Sequence, residues 1–163
     1  MFDDEEPMFT AIANTDGSCL SNPGGRSGAA AIIVLENGSK IVRSQGFRSS
    51  TNQRQELHGL LLALDALEAV APSTRLLVRS DSRYAVEGFR SHRCAPVFTL
   101  PTANRDLWLR IQASARRFQY VQTLWIKGHS GDPGNEEADQ LAGEAAEFGP
   151  WIEDSRELET KYL

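Results

Sequence analysis

The hydrophobic residues follow two different spacings along this chain. Between residues 9 and 47 they form short runs separated by turn residues, which predicts strands over Phe9–Thr15, Ala29–Leu35 and Lys40–Phe47. The stretch 17–28, rich in glycine, proline and asparagine, predicts the first turn, and Glu36-Asn37-Gly38 predicts a hairpin turn. We therefore expect the first third of the chain to form an antiparallel meander of three strands.

From residue 52 onward the spacing becomes helical and then alternates. Leucines that recur at helical intervals predict a helix over Asn52–Val70, which Pro72 would end. The later elements are strand Leu76–Val78, helix Ser82–Phe89, helix Asn104–Phe118, strand Tyr120–Ile126 and helix Glu136–Glu147. Residues 91–102 are expected to form a loop. This order predicts an α/β fold in which helices pack on a mixed sheet.

The length of 163 residues fits one domain with a core of its own. We expect that domain to span residues 9–147, between an acidic N-terminal tail over 1–8 and a mostly disordered C-terminal tail over 148–163. The net charge of −5 comes from the chain ends, because residues 9–146 carry 15 basic against 13 acidic residues. The acidic total does not exclude a nucleic-acid partner, since local basic clusters determine polyanion affinity.

Simple features exclude several classes of protein. No apolar run approaches the length of a membrane span, so we expect no membrane partner. The acidic start differs from the basic start of a signal peptide, which favours a cytoplasmic protein. The two cysteines, Cys19 and Cys94, are too few for a disulfide scaffold and match no zinc-binding spacing.

Four acidic residues lie where predicted strands end or within the helices that follow: Asp16, Glu56, Asp81 and Asp139. Such positions can converge on one edge of an open sheet, where ligand sites tend to lie. Carboxylates without histidine or cysteine partners favour Mg²⁺ or Mn²⁺ over zinc. Two such ions can assist an in-line phosphoryl displacement. Taken one at a time, however, each acid is more often a turn former, a cap or a solvated helix residue.

The sequence around these acids resembles type 1 ribonuclease H in four motifs. They are Thr15–Gly25, Thr51–Leu57, Ser80-Asp81-Ser82, and Trp125–Gly131 continued by Gly134–Asp139. The motifs occur in the family's order and spacing, and the resemblance covers roughly residues 8–147. Four motifs in order are far more specific than any one of them.

The resemblance implies a ribonuclease H-like fold: a five-stranded mixed sheet, three antiparallel strands followed by parallel ones, flanked by helices. It also implies an endonuclease that cuts the RNA strand of RNA–DNA hybrids with two Mg²⁺ ions, or Mn²⁺ as a substitute, and leaves 5′-phosphate and 3′-hydroxyl ends. Asp16 would contact both ions, and Asp139 would join it at the ion that activates the attacking water. Glu56 and Asp81 would join it at the leaving oxygen. His129 resembles the family's mobile histidine, which assists proton transfer and product departure.

Six further residues match or neighbour positions at which the family contacts its substrate: Asn22, Thr51, Asn52, Gln53, Arg83 and Asn104. Discriminating RNA from DNA requires contact with the 2′-hydroxyl. The side-chain amides of Asn22, Asn52 and Gln53 are suited to hydrogen bonds with sugars and base edges. A turn role for Asn22 and a helix-capping role for Asn52 are the alternatives. Thr51 and Asn104 match a pocket for a phosphate of the DNA strand. Its usual cation falls at Ser49 here, so neighbouring Arg48 is a candidate substitute. Arg83 stands where many bacterial members have glutamine.

The chain departs from many family members between Gly88 and Ala103. The family often carries a basic, tryptophan-rich protrusion there, whereas this segment is short, contains no tryptophan and offers only Arg90, His92 and Arg93 as cations. Because phosphate contacts supply much of the affinity for nucleic acid, we expect this chain to bind a hybrid more weakly than a relative with the protrusion does, and with a steep dependence on salt.

Other reactive or aromatic side chains are expected to have structural roles. Trp108 and Trp125 are expected in the core, and Cys19 is expected to line a turn or groove. His58 follows Glu56 by two positions and therefore lies on another helix face, so we do not expect it to bind metal. Removing either tail is expected to cost little activity.

Four other functions fit parts of the sequence. A hybrid-binding module without catalysis would have no need for the clustered acids and His129. The nuclease portion of a retroelement or viral polyprotein is compatible with the short segment 88–103. A transposase-like DNA nuclease would share the fold, but the Asn52-Gln53 and Gly128–Gly131 contexts favour RNA cleavage. An acidic interaction protein would explain only the tails. We expect a monomer that binds an RNA–DNA hybrid.

Overall fold

The computed structural model describes residues 9–67 and 73–155 of the chain. Its elements are, in order, strands β1 (Ala11–Cys19), β2 (Ser27–Leu35) and β3 (Lys40–Phe47), helix α1 (Asn52–Asp65), strand β4 (Arg75–Ser80), helix α2 (Arg83–His92), a short 3₁₀ helix (Val97–Thr99), helix α3 (Arg105–Ala115), strand β5 (Tyr120–Trp125), helix α4 (Pro133–Phe148) and strand β6 (Trp151–Ile152). Within these residues, no helix has both the length and the apolar character needed to cross a membrane.

The strands form one mixed sheet in the order β5-β4-β1-β2-β3-β6. Strand β2 pairs antiparallel with both β1 and β3, which confirms the predicted meander. Strand β4 lies parallel to β1, and β5 lies parallel to β4. The sheet therefore has the predicted antiparallel and parallel halves, and differs from the predicted five strands by the added β6, which pairs parallel with β3.

Helices cover both faces of this sheet, and two glycines allow their close approach. A Cβ on Gly17 would lie 2.4 Å from the backbone carbon of Gln55 in α1, and one on Gly28 would lie 2.4 Å from the carbonyl oxygen of Ala142 in α4. Gly17 pairs with Ala29, the residue after Gly28. Because successive strand residues point to opposite faces, α1 and α4 lie on opposite sides of the sheet.

The main core lies between the sheet and helices α1, α2 and α3. Leu57, Leu60, Leu61 and Leu64 of α1 are at most 3% exposed, which explains the leucine spacing of the sequence. Burying one leucine side chain stabilises the fold by about 1.5–3 kcal/mol. Trp108 of α3 is also buried in this core, as predicted.

Several boundaries differ from those predicted. Strand β1 continues to Cys19, because its antiparallel partner β2 begins at Ser27 and extends the ladder. Helix α1 ends at Asp65, and residues 68–70 of its predicted span lie outside the described residues. The expected loop 91–102 contains the end of α2 and the 3₁₀ helix. Helix α4 begins three residues before the predicted start, because Asp132 caps it and Pro133 occupies its first turn.

The prediction of a disordered C-terminal tail is wrong for residues 148–155. Beyond strand β6, the Asp154 carboxylate accepts hydrogen bonds from Arg54 Nε at 2.7 Å and from Ser50 Oγ at 2.6 Å, and His58 Nε2 lies 2.9 Å away. Arg54 also donates to Asp106 of α3 at 2.7 Å. This buried ion-pair group, Arg54–Asp106–Asp154–His58, joins α1 and α3 to the C-terminal segment. Residues 156–163 lie outside the described residues.

Replacing Asp154 is therefore expected to destabilise the protein. Asp154→Ala should lower the free energy of unfolding by about 3 kcal/mol, because a buried guanidinium loses one of its two carboxylates. Chemical denaturation measures this difference. Glu153→Gln is the matched control, since the Glu153 side chain is 76% exposed and pairs with Arg48, whose side chain is itself 63% exposed. An Asp154→Ala protein as stable as the control would contradict a structural role for residues 148–155.

The same carboxylate predicts how stability depends on pH. Burial alone would raise the pKa of Asp154, but hydrogen bonds from His58 and Arg54 outweigh burial and hold this pKa well below its usual range. The stabilisation is therefore complete above about pH 4 and is lost as the pH falls further. Below pH 4, the difference in the free energy of unfolding between wild type and Asp154→Ala should therefore become smaller, which chemical denaturation at a series of pH values measures. A difference that stays constant down to pH 2 would contradict the assignment.

Candidate active site

Three acidic side chains meet where β1 and β4 lie side by side. Asp16 lies in the second half of β1, Asp81 follows the end of β4, and Glu56 comes from the first turns of α1. One carboxylate oxygen from each lies within 4.8 Å of the other two. The parallel pairing of β1 with β4 brings the two aspartates to one end of the sheet, so the predicted convergence of these three acids is observed.

Close backbone packing holds this group together. Helix α1 approaches β1 so closely that a Cβ on Gly59 would lie 2.8 Å from the carbonyl oxygen of Asp16. On the other side, a Cβ on Gly128 would lie 2.7 Å from Asp81 Oδ2. The side-chain amide of Asn135 donates to the same Asp81 oxygen at 3.4 Å, and Trp125 Nε1 donates to the Asp81 carbonyl at 3.0 Å.

Helix caps orient the segments that carry the acids. Thr51 caps α1 by accepting a hydrogen bond from the Arg54 amide at 3.2 Å. Ser82 caps α2, directly after Asp81, by accepting from the Ala85 amide at 3.1 Å. These hydroxyls satisfy amide groups that the first helical turn leaves unpaired. The start of each helix is therefore set beside the acidic group.

Asp139 of α4 is the fourth predicted acid in the same cleft. It lines the cleft together with Asp16, Glu56 and Asp81, and its carboxyl group is close enough to that of Asp16 to help raise the Asp16 pKa. Asp139 is exposed, whereas Asp16 is only 3% exposed. The four acids predicted from the sequence thus lie together, with Asp16 at the bottom of the cleft.

Burial and the proximity of the other acids disfavour the charged forms of Asp16 and Glu56. Burial first, and then the charge of Asp81, raises the pKa of Asp16 to about 8. Burial, followed by the charges of Asp16 and Asp81, raises the pKa of Glu56 well above its usual range. Without a positive charge between them, the Asp16 and Glu56 carboxyl groups bind protons more readily than isolated carboxyl groups do.

The donor set fits a divalent cation. All the acids in the cleft offer oxygen ligands, which magnesium and manganese prefer. Glu56 Oε2 is buried, and no hydrogen-bond partner is found for it within the described residues. A buried acceptor without a donor is costly unless something else satisfies it. A cation bound by Asp16, Glu56 and Asp81 would supply that partner and the missing positive charge.

The cleft itself has a volume of about 380 Å³ and includes three further predicted site residues. Asn52 and Gln53, both exposed, lie at the start of α1 beside the acids. His129 lies on the opposite rim, in the loop between β5 and α4, and its side chain is exposed. Asn22 lies next to this group, because its side-chain oxygen accepts a hydrogen bond from the Asn52 amide at 3.1 Å.

The predicted phosphate pocket has a different arrangement from that expected. Asn104 is only 8% exposed, and its side chain accepts from Arg54 at 3.3 Å and donates to Tyr84 at 2.9 Å. Thr51 is half-buried as the cap of α1. Arg48, the candidate substitute cation, pairs with Glu153 at 3.1 Å. These polar groups are engaged with the protein, so phosphate binding at this position stays a prediction.

Arg83 lies beside the cleft on an aromatic support that the sequence did not predict. Its guanidinium carbon stands 4.0 Å from the ring centre of Trp125. Trp125 is 37% exposed, so the prediction that it lies in the core is wrong. Trp125 is the last residue of β5, and its exposed ring is available to a cation.

The two arginines at the end of α2 are engaged with the edge of the sheet. Arg90 donates to the Thr123 carbonyl at 2.9 Å, and Arg93 donates to the Val121 carbonyl at 2.7 Å. Both carbonyls belong to the edge strand β5, whose backbone would otherwise be open to another strand. The expected salt dependence of hybrid binding stays a prediction.

Two polar residues near the site were missed by the sequence reasoning. Asn135, which contacts Asp81, lies inside the fourth motif but carries no charge that would mark it. Asp132 caps α4 and contacts Arg79 of β4. The Asp132-Pro133 pair is a typical helix start and could have indicated the cap. The contact with Arg79 depends on the sheet order and has no local signal.

Comparison with known proteins gives a consistent result. The family model described as RNase H matches residues 10–147. A protein named Ribonuclease H from Shewanella sp. (strain ANA-3) is 38% identical over 143 residues, which cover 83% of this chain and 87% of that relative.

Solved structures agree at the level of the fold. The N-terminal RNase H domain of a Mycobacterium tuberculosis protein, solved as a fusion with maltose-binding protein, has a TM-score of 0.70 at 22% identity and covers 86% of this chain and 95% of that chain. LC11-RNase H1, solved in complex with an RNA/DNA hybrid, has a TM-score of 0.67 at 21% identity over 84% and 96% of the two chains. Since the family match spans both β1 and α4, which carry the acids of the cleft, this chain belongs to the RNase H family.

Proposed function

We propose that this protein is an endoribonuclease that hydrolyses the RNA strand of RNA–DNA hybrids with two divalent ions, Mg²⁺ being the physiological metal. The observation that carries the proposal is the cluster of Asp16, Glu56 and Asp81, whose oxygens approach within 4.8 Å. One carboxylate oxygen of this cluster, Glu56 Oε2, is buried and has no donor among the residues that the structure describes. The identity with proteins named Ribonuclease H supports the reaction. The hybrid bound to the structurally similar LC11-RNase H1 supports the substrate class.

The acids of the cleft would hold the metal ions. Asp16 is central, because it is the most buried of the four and lies against Glu56, Asp81 and Asp139. Glu56 and Asp81 would complete one side and Asp139 the other. When bound, the ions supply positive charge that stabilises the attacking and leaving oxygens of an in-line displacement. The acids must lose their protons to bind these ions.

His129 is the group best suited to move a proton. It is exposed on the rim of the cleft, three residues before the cap of α4, and an imidazole changes its charge near neutral pH. In the proposed reaction it assists protonation of the leaving oxygen and departure of the product. The products would carry a 5′-phosphate and a 3′-hydroxyl.

The amides at the cleft would recognise the RNA strand. Asn52 and Gln53 are exposed beside the acids, so their side chains can hydrogen-bond to a 2′-hydroxyl or to base edges in the minor groove. Asn22 contacts the Asn52 backbone and would belong to the same surface. Arg83, stacked on Trp125, would bring a positive charge to the phosphates next to the cut.

Incubation with end-labelled substrates tests the reaction. In the presence of Mg²⁺ the protein should cut only the RNA strand of an RNA–DNA hybrid, and a chelator should abolish cutting. RNA duplex, DNA duplex and single-stranded RNA of the same sequence serve as controls. Cutting of DNA would favour a DNA nuclease, and intact hybrid that is nevertheless bound would favour a binding module.

Asp81→Asn should separate binding from catalysis. The amide keeps the shape of the side chain but loses the charge that holds metal, so turnover should fall by at least about 100-fold. The dissociation constant for hybrid, measured in chelator, should stay within a factor of about 3, since few phosphate contacts are changed. Glu36→Gln is the charge-matched control, because Glu36 is exposed in the hairpin turn after β2, away from the acidic cleft. It should leave both the turnover and the dissociation constant unchanged. Equal loss of binding in Asp81→Asn would contradict a metal-binding role.

Metal binding should depend on pH in a defined direction. Because the pKa of Asp16 is raised to about 8 and that of Glu56 is also raised, the metal-free cleft holds protons that the ion must displace. The affinity for Mg²⁺ should therefore fall as the pH is lowered from about 8.5 to 6.5. Calorimetric titration in buffers of different ionisation enthalpy measures the protons released. Release of no protons at pH 7 would contradict the raised pKa values.

A further inference from the structure

The loop that carries His129 is attached to the end of β4 at both of its own ends. At its start, the Ile126 amide donates to the Ser80 carbonyl at 2.8 Å, and Trp125 Nε1 donates to the Asp81 carbonyl at 3.0 Å. At its end, Asp132 pairs with Arg79. The loop 126–132 is therefore held between two attachments on residues 79–81.

The backbone inside this loop is strained. His129 has a φ of 54°, in the left-handed region that non-glycine residues rarely adopt. Such a conformation costs on the order of 1 kcal/mol and persists only where surrounding contacts enforce it. Within the loop, the described side-chain contact is the 2.7 Å hydrogen bond from Ser130 to the Lys127 carbonyl. The conformation of His129 thus depends on the attachments at the two ends, together with the close packing of Gly128 on Asp81.

Arg79 is the centre of the attachment at the end of the loop. Its Nη1 donates to Asn14 Oδ1 at 2.8 Å and to Asp132 Oδ1 at 3.3 Å, and its Nη2 donates to Asp132 Oδ2. Asn14 lies two residues before Asp16 in β1, opposite Arg79 in the parallel ladder. The start of α4 is packed tightly here, since a Cβ on Gly134 would lie 2.5 Å from Asn14 Nδ2.

The carboxylate of Asp132, which Arg79 contacts, has two roles. Asp132 is the cap of α4, where its Oδ1 accepts a hydrogen bond from the Asn135 amide at 3.0 Å. Asn135 in turn contacts Asp81, and Asp139 lies one turn further along the same helix. Arg79 therefore links the loop of His129 to both strands that carry the central aspartates.

We infer that Arg79 is a positioning residue, which keeps the His129 loop in its strained conformation over the acidic cleft by holding Asp132. This inference rests on the proposed function for its effect on catalysis. The Arg79 and Asp132 side chains are only 25% and 22% exposed, and the two-pronged contact defines direction as well as distance. An exposed ion pair held at a single point would not restrain a loop in this way.

A double-mutant cycle tests the coupling. Arg79→Met removes the guanidinium and keeps an apolar stem of similar length. It should lower kcat by about 10-fold or more, the range found for residues that orient other ligating or reacting groups, with KM for hybrid unchanged. In a His129→Ala background the same substitution should change kcat by less than about twofold, because there is no longer an imidazole to position.

Two conservative variants add a readout that simple destabilisation would not produce. Arg79→Lys keeps the charge but cannot make the two-pronged contact, so it should restore part of kcat. Asp132→Asn keeps an acceptor for the Asn135 amide, so α4 stays capped while the ion pair is lost. Its kcat should fall like that of Arg79→Met. If kcat fell only in the less stable of these variants, Arg79 would have a structural role instead.

Lys40→Met is the matched control. Lys40 pairs at 2.7 Å with Glu137 and so joins the same helix α4 to β3, and both residues lie outside the loop 126–132. Its loss should leave kcat unchanged. Hydrogen exchange of the loop amides gives a measurement that does not depend on activity: exchange over residues 127–131 should quicken in Arg79→Met and not in Lys40→Met.

The outcomes separate the two proposals. A wild-type protein that cuts no hybrid would end the proposed function, while the exchange measurement would still decide whether Arg79 holds the loop. Additive effects of Arg79→Met and His129→Ala on kcat, unchanged exchange in Arg79→Met, or full activity of His129→Ala would each overturn the inference.

Discussion

The central constraint on this molecule is that several carboxyl groups must lie closer together than their charges favour. Two like charges 4 Å apart repel by about 4 kcal/mol at an effective dielectric constant of 20, and Asp16, Glu56 and Asp81 lie within about that distance of one another. The raised pKa values of Asp16 and Glu56 show the same cost in another form. A cation removes the repulsion, so the site is matched to a charged ligand and the rest of the fold must hold it open for one.

The surrounding structure meets this constraint with close backbone packing and not with opposite charges. Glycines at positions 17, 59 and 128 allow α1 and the β5–α4 loop to approach the acids, where any side chain would collide. Arginines lie further away: Arg54 joins α1 to α3 and to Asp154, and Arg79 joins β1, β4 and the start of α4. Keeping basic groups outside the cleft leaves its acids available to metal ions, while the same groups make the scaffold rigid.

Most of the fold and the four acids could be predicted from the sequence, and the failures have common causes. The leucines of α1 and the Asn37-Gly38 turn are local signals, and both elements were predicted correctly. The ordered segment 148–155 was missed because strand β6 has two residues and its stability comes from β3 and from Arg54, far away in the chain. Trp125 was predicted in the core because hydrophobicity alone does not show where the helices stop covering the sheet.

The sequence by itself determined the family, the order of the elements and the identity of the acids, because each motif combines a reactive residue with its own turn or cap. The tertiary structure alone decided how these parts work together. It made Asp16 the most buried of the four acids in the cleft, engaged the predicted phosphate ligand Asn104 with Arg54, and brought Arg79 to Asp132. These properties depend on which strands are neighbours and how closely helices approach them, and such distances between remote residues leave no local pattern in a single sequence.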